Sequence, residues 1–225
     1  MNVIAINGSP RKHANTATLL EHALNGAAAA IPDGQAVETR LIHLYELRYT
    51  GCRSCFTCKR LGGPGYGRCT VQDDLYPLLE DIASADVLIL GSPVYLGSIS
   101  GQMRSFLERL LFPWLVYDTA GSSLAPRRMP TAFLYTMNIT EPQMKARGYA
   151  QAFAPMEAYI GRILTPPQTL FVTDTCQFDD YSAYMCTCFD GAAKRARHEE
   201  QFPKDCQAAW KLGAALIRQT RQPVA

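Results

Sequence analysis

Two groups of residues in this 225-residue chain have types and spacings that can do chemistry. The first is Gly8-Ser9-Pro10-Arg11-Lys12-His13-Ala14-Asn15-Thr16. It follows the short β-branched run Val3, Ile4, Ile6 and leads into an Ala/Leu-rich stretch, Thr16 to Ile31, that reads as a helix. The first turn of a helix carries unpaired N–H groups and about +0.5 of an elementary charge, so it attracts phosphate or a similar anion. Ser9, Asn15 and Thr16 add neutral donors, and Arg11 and Lys12 add charge. The second group is Cys52-Arg53-Ser54-Cys55-Phe56-Thr57-Cys58, joined by Cys69 after a stretch holding Gly62, Gly63, Gly65 and Gly67. Three cysteines with two residues between each can converge on one centre, and a Gly-rich return can deliver a fourth. Four thiolates suit an iron–sulfur cluster or a tetrahedral zinc, and reduced thiols in a folded loop are the third reading.

The two commoner phosphate fingerprints are absent around Gly8. A Walker loop needs a second Gly followed by Lys and Ser/Thr, and a dinucleotide fingerprint needs three spaced glycines. Taken alone, the segment is equally a polar turn with Asn15 or Thr16 as an ordinary N-cap. A second loop changes the balance. Asp86-Val87-Leu88-Ile89-Leu90 is a continuous apolar strand ending at Gly91-Ser92-Pro93, after which Val94-Tyr95-Leu96-Gly97 offers a flat ring and exposed backbone amides. Such a surface can meet a planar heteroaromatic. A phosphate seat and a ring seat side by side are what flavin mononucleotide requires.

The elements that must position these loops follow from the pattern. Val37 to Leu44 reads as strand 2, Leu75 to Ala83 as a helix, and the stretch after Gly101 as a helix burying Met103, Phe106, Leu107, Leu110 and Leu111. Thr131 to Met137 and Thr169 to Thr173 read as strands 4 and 5, and a last helix runs from about Pro203 to Gln219. Apolar strands separated by helices imply a parallel sheet covered on both faces. The expected fold is α/β: a single-domain, flavodoxin-like, doubly wound five-stranded parallel sheet of order 2-1-3-4-5, with its ligand site at the carboxyl ends of strands 1 and 3. Residues 1–225 are read as one FMN-binding unit with a Cys-rich loop at 51–71.

Composition narrows the partners. Hydrophobic residues make up 48% and charged residues 19%, which suits a globular core. A formal charge of +2 speaks against nucleic acid or an anionic membrane as the main partner. The N-terminus lacks a basic leader, and no stretch approaches the roughly 20 apolar residues of a membrane span. The chain is therefore expected to be cytoplasmic, where clustered cysteines point to metal or redox chemistry before disulfides. Lys194-Arg195-Ala196-Arg197 reads as a solvated helix face. Cys176, Cys186, Cys188 and Cys206 read as buried small hydrophobes, and His13 as solvent-facing. Trp114 with Phe112, Leu115 and Tyr117, and Tyr181 with Tyr184, read as core or subunit contacts or as a wall over the flavin.

The sequence resembles the flavodoxin-like NADPH-dependent FMN reductase and iron–sulfur flavoprotein family. The resemblance rests on Gly8-Ser9-Pro10-Arg11-Lys12 with Asn15-Thr16, on Gly91-Ser92-Pro93-Val94-Tyr95, on Ser100-Gly101-Gln102-Met103, and on the cysteine loop ending in Asp73-Asp74. It implies that Ser9, Arg11, Asn15 and Thr16 hold the FMN phosphate and that Pro93, Val94, Tyr95 and Leu96 border the isoalloxazine. The turn Thr136-Met137-Asn138 would approach the ring from the other side, through Thr136 and Asn138. Hydride would pass from NAD(P)H to the flavin and electrons onward to a quinone, free flavin, metal ion or protein acceptor, with no side-chain nucleophile or acid/base pair. The resemblance further implies a 4Fe-4S cluster on Cys52, Cys55, Cys58 and Cys69, and a homodimer or homotetramer. An electron carrier with FMN and a cluster is the second functional reading. A thiol redox-sensing binding module is the third.

Overall fold

The computed structural model describes residues 1–31 and 36–220. Five parallel strands form its sheet: β1 (Asn2–Asn7), β2 (Glu38–His43), β3 (Val87–Tyr95), β5 (Thr131–Thr136) and β6 (Gln168–Val172). They lie in the order β2-β1-β3-β5-β6. With the two-residue β4 (Ser98–Ile99) set aside, this is the expected 2-1-3-4-5. Alternation along β1 divides the core: Ile4 and Ile6 face one layer and Val3 and Ala5 the other. The first layer is covered by α2 (Leu75–Ser84), α3 (Gly101–Trp114) and α5 (Tyr149–Ile163). The second is covered by α1 (Asn15–Ala29) and α6 (Gly191–Gln219). These two helices cross so closely that a Cβ on Gly213 would lie 1.8 Å from the Ala23 carbonyl oxygen.

Three features differ from expectation. The third strand does not end at Gly91-Ser92-Pro93 but continues to Tyr95 and pairs antiparallel with β4. Pro93 is accommodated because strand pairing there runs to Thr136 of β5 on one side only. The crossover from β5 to β6 contains α4 (Glu141–Ala146) and α5, which the apolar pattern did not announce; Pro142 and Pro155 interrupt its periodicity. The last helix begins twelve residues before Pro203, at Gly191, where Asp190 caps it by accepting from the Ala192 and Ala193 amides. Pro203 is interior rather than initial; proline's preference for a first turn misplaces the start.

Candidate functional site

The β1–α1 loop is shaped by its own polar residues. Asn7, fully buried, uses its side-chain oxygen to accept from the Ser9 amide at 2.9 Å. Ser9, also buried, accepts from the Arg11 amide at 3.2 Å. Gly8 donates its N–H to the Gly91 carbonyl at 2.8 Å, so the first loop lies directly against β3. A side chain at Gly8 would force its surroundings to shift, because a Cβ would approach that of Met103 to 2.9 Å. Ser100, the N-cap of α3, completes the junction. Its hydroxyl donates to the Gly8 carbonyl at 2.7 Å and accepts from the Met103 amide, while its own amide donates to the Ser92 hydroxyl.

The N-terminus of α1 is not closed by the expected cap. The N-cap position is Ala14, and no side chain bonds there. Asn15 instead donates to the Cys176 carbonyl at 2.9 Å, and the Thr16 hydroxyl pairs with that of Thr136 at 2.8 Å. The first-turn amides are thus left to solvent or ligand. Arg11 reaches the Gln177 carbonyl, and Asn138 donates to the Gln177 side-chain oxygen at 2.7 Å. The Asn138 side-chain oxygen is buried without a partner. Ser9, Arg11, Asn15, Thr16, Thr136 and Asn138 therefore converge, linked by segment 174–177, which sequence reasoning did not place here.

Across the sheet ends, the β3–β4 hairpin carries the remaining predicted residues. Pro93 and Val94 are half-buried, while Tyr95 and Leu96 are exposed. Leu96 (φ 51°) and Gly97 (φ 79°) are both left-handed, as a tight hairpin turn requires. Tyr95 is only partly open to solvent, and the desolvated part of its ring pushes the phenol above its ordinary range. On the outer side of the phosphate loop, a cleft of about 470 Å³ is bordered by Arg11, His13, Asn15, Cys176, Arg195 and His198. His13 is exposed, as expected.

The cysteine loop is held by α3 from the other side. Cys52, Cys55, Cys58 and Cys69 all line one cavity of about 20 Å³, room for roughly one water. Ser54 (φ 54°) and Phe56 (φ 56°) are left-handed, and such turns fold successive amides toward a concavity. Burial pushes the Cys58 thiol up, whereas hydrogen bonding to Thr57 lowers that of Cys55. Arg109, which no motif singled out, is 2% exposed. Its Nε donates to the Cys69 sulfur at 2.9 Å, its two terminal nitrogens grip both Asp73 oxygens at 2.8 and 3.1 Å, and they also donate to the Thr50 and Val71 carbonyls. Burial alone would raise the Asp73 carboxyl, but the Arg109 hydrogen bond and charge outweigh it and hold the group below its usual range. Lys59 donates to the Phe112, Pro113 and Leu115 carbonyls at the end of α3. A basic residue amid the apolar stripe of α3, facing an acidic pair at 73–74, was the available signal for Arg109.

Of the remaining readings some hold, as for Trp114, Tyr181 and Cys206, and others need correcting. Lys194 is no solvated charge: it is 5% exposed, pairs with Asp174 and donates to the Asn138 carbonyl at 2.5 Å. Of the four outlying cysteines only Cys206 is buried; Cys188 is exposed. Trp114 is core, while Phe112 and Tyr117 sit beside Phe56 and Lys59 at the cysteine loop rather than over the β1–α1 loop and the β3–β4 hairpin. Tyr181 is buried and accepts from the Gln177 amide. Among the described residues, no three His, Cys, Asp or Glu side chains are drawn around one point as a single metal ion demands, and no helix is long and apolar enough to cross a membrane.

Comparison with known proteins agrees with this architecture. An iron–sulfur flavoprotein of Methanocaldococcus jannaschii is 38% identical over 109 residues, 48% of this chain and 51% of the relative. An FMN-dependent NADH:quinone oxidoreductase of Nocardia farcinica is 29% identical over 137 residues, 61% of this chain and 57% of that one. The chain thus spans about half the length of the curated relatives it matches. The solved structure of an NAD(P)H:quinone oxidoreductase from Methanothermobacter marburgensis superposes with a TM-score of 0.68 over 96% of this chain and 98% of that one, at 14% identity, and shows the shared fold. The family model of NADPH-dependent FMN reductases matches residues 1–134, which include the phosphate loop, the hairpin and all four clustered cysteines. This chain belongs to the NADPH-dependent FMN reductase family.

Proposed function

We propose that the chain, acting as one flavin-binding unit, binds FMN at the carboxyl ends of β1, β3 and β5 and passes electrons from NAD(P)H to a small-molecule or protein acceptor. The observation that carries this reading is the uncapped N-terminus of α1 facing the buried Thr16–Thr136 pair. The residues fit the group. First-turn amides, Ser9 and Arg11 suit a phosphate, and the orphaned Asn138 oxygen suits a ring N–H donor. Pro93, Val94, Tyr95 and Leu96 provide the ring edge. Bound FMN supplies the hydride and electron chemistry. The protein's part is to seat the phosphate, fix the ring edge and leave one face open to the nicotinamide. Exposed Tyr95 and Leu96 on the hairpin suit a subunit contact, so a homodimer or homotetramer, located in the cytoplasm, is part of the proposal. Titration of the apo chain with FMN should quench flavin fluorescence to one equivalent per chain. Unchanged fluorescence would sink the reading.

A second reading has its own observation: four cysteines on one cavity, with a cationic N–H on Cys69. Tetrahedral zinc places sulfurs about 2.3 Å from one point, and no such convergence exists among the described residues. Four thiols are also the donor set of an iron–sulfur cluster, and the loop would have to open to take one, because the cavity the four cysteines line measures only about 20 Å³. The chain would then be an iron–sulfur flavoprotein in which Cys52, Cys55, Cys58 and Cys69 hold a 4Fe-4S cluster. Iron and sulfide assays on anaerobically purified protein decide: four of each per chain support it, and no iron leaves the cysteines as thiols.

A further inference from the structure

The cleft of about 470 Å³ outside the β1–α1 loop falls within the usual volume range of small-molecule sites, and the flavin seat uses only its inner border, Arg11 and Asn15. Its opposite wall is the first half of α6. There Lys194 and Arg197 turn inward to Asp174, while Arg195 stands exposed at the cleft with no hydrogen bond or ion pair among the described residues. Arg11 spends one terminal nitrogen on the Gln177 carbonyl, and its other donors have no partner among the described residues. His198 stacks on Phe202 with ring centroids 4.6 Å apart, and its Nδ1 is buried without a hydrogen-bond partner. Asp179 and Glu199 border the same cleft. Two guanidinium groups suit phosphate oxygens. Two carboxylates repel a bare polyanion but accept from ribose hydroxyls. The His198–Phe202 stack adds an aromatic wall with unmet polar capacity. Cations, sugar acceptors and an aromatic wall in one cleft are what a nucleoside phosphate requires.

We propose that this cleft seats the adenosine-phosphate half of NAD(P)H, with Arg195 as its phosphate-binding residue. This role rests on the flavin reading given above, and it places the electron donor of that reading. The sequence carries no G-x-G-x-x-G run, so no dinucleotide fingerprint competes for the role. Arg11 and Asn15 are common to the cleft and the flavin seat, so a ligand held here lies beside the proposed FMN phosphate. Arg195 and Arg11 grip phosphate oxygens, Asp179 or Glu199 accepts from a ribose hydroxyl, and the His198–Phe202 stack flanks the base.

The test is calorimetric titration of the FMN-loaded full chain with ADP-ribose, which carries the adenosine and phosphates of NADH but no nicotinamide. One equivalent per chain should bind, and Arg195→Glu should weaken it about tenfold, the loss of one charge-assisted contact. Arg195 is exposed and unpaired, so its replacement spares the core. In anaerobic rapid mixing, Arg195→Glu should raise the half-saturating concentration of the bleaching dinucleotide by about the same factor, at an unchanged limiting rate. That of reduced nicotinamide mononucleotide, which lacks the adenosine half, should not move. A merely structural or long-range charge effect would shift both donors alike. FMN-loaded chain that takes up no ADP-ribose, Arg195→Glu with the wild-type affinity for it, or an equal shift for the mononucleotide would overturn the inference alone. Wild-type chain that binds no FMN would overturn the flavin reading and this inference with it.

Discussion

The β1–α1 loop, the proposed phosphate seat, and the cysteine loop are built on opposite principles. The first is an extension of the sheet: Gly8 bonds to Gly91, Ser100 bonds to Gly8, and the residues that shape the loop are neighbours in sequence or at adjacent strand ends. The second contains no strand or α-helix of its own, only a single 3-10 turn at Thr57–Lys59. It is held from outside by Arg109 and Lys59, whose partners lie 36 to 59 residues away. A ligand seat made by the sheet inherits the sheet's stability. A seat made by a loop depends on a few buried polar contacts. Substitutions should therefore separate stability from flavin binding in opposite directions at the two places.

The largest effect is expected at Arg109→Ala. It leaves the Asp73 carboxylate half-enclosed and the Cys69 sulfur, Thr50 and Val71 without their donor, a loss of about 3–5 kcal/mol for a broken buried pair. Urea unfolding should show that loss, while the folded fraction keeps its FMN. Gly8→Ala should do the reverse. Crowding Met103 and the Gly91 carbonyl costs about 1–3 kcal/mol, less than at Arg109, yet FMN binding should fall below detection in a fluorescence titration. Equal flavin loss in both variants would erase the distinction between the two regions.

Smaller changes sharpen it. Thr16→Val removes the hydroxyl pair with Thr136, and should lower unfolding stability by about 0.5–1.5 kcal/mol while weakening FMN binding up to about tenfold. The smallest effect is a pH dependence at the cysteine loop. The folded Asp73 carboxyl lies below its unfolded value of about 3.9. Its contribution is therefore complete above about pH 4 and is lost as pH falls through the folded value. Wild-type protein should lose stability in that acid range more steeply than Asp73→Asn, measured by thermal unfolding at stepped pH.

The same contrast explains what could be read from the sequence. The strand order and the meeting of the Gly8 loop with Gly91-Ser92-Pro93 were legible because β-branched runs ending in Gly-Ser-Pro mark strand ends locally, and a parallel sheet brings those ends together. The cysteine spacing was legible as a donor set, but its holder was not. Arg109 reads as one more basic residue on α3 until the fold turns it inward. Lys194 misled in the same way, since Asp174 twenty residues earlier and the Asn138 carbonyl make its burial tolerable. The pairing of Asn15 with Cys176 spans 161 residues, which no local pattern can announce. Pro203 disguised the first half of α6, and without that half the segment covering Arg11 and Asn15 had no anchor.

The central claim is that the sheet-borne loops hold a flavin with one face open to a nicotinamide. Anaerobic rapid mixing of the FMN-loaded chain with NADPH, and separately with NADH, tests it most directly. The expected result is bleaching of the flavin absorbance within seconds by at least one of them. FMN bound at one equivalent per chain but bleached by neither would contradict it.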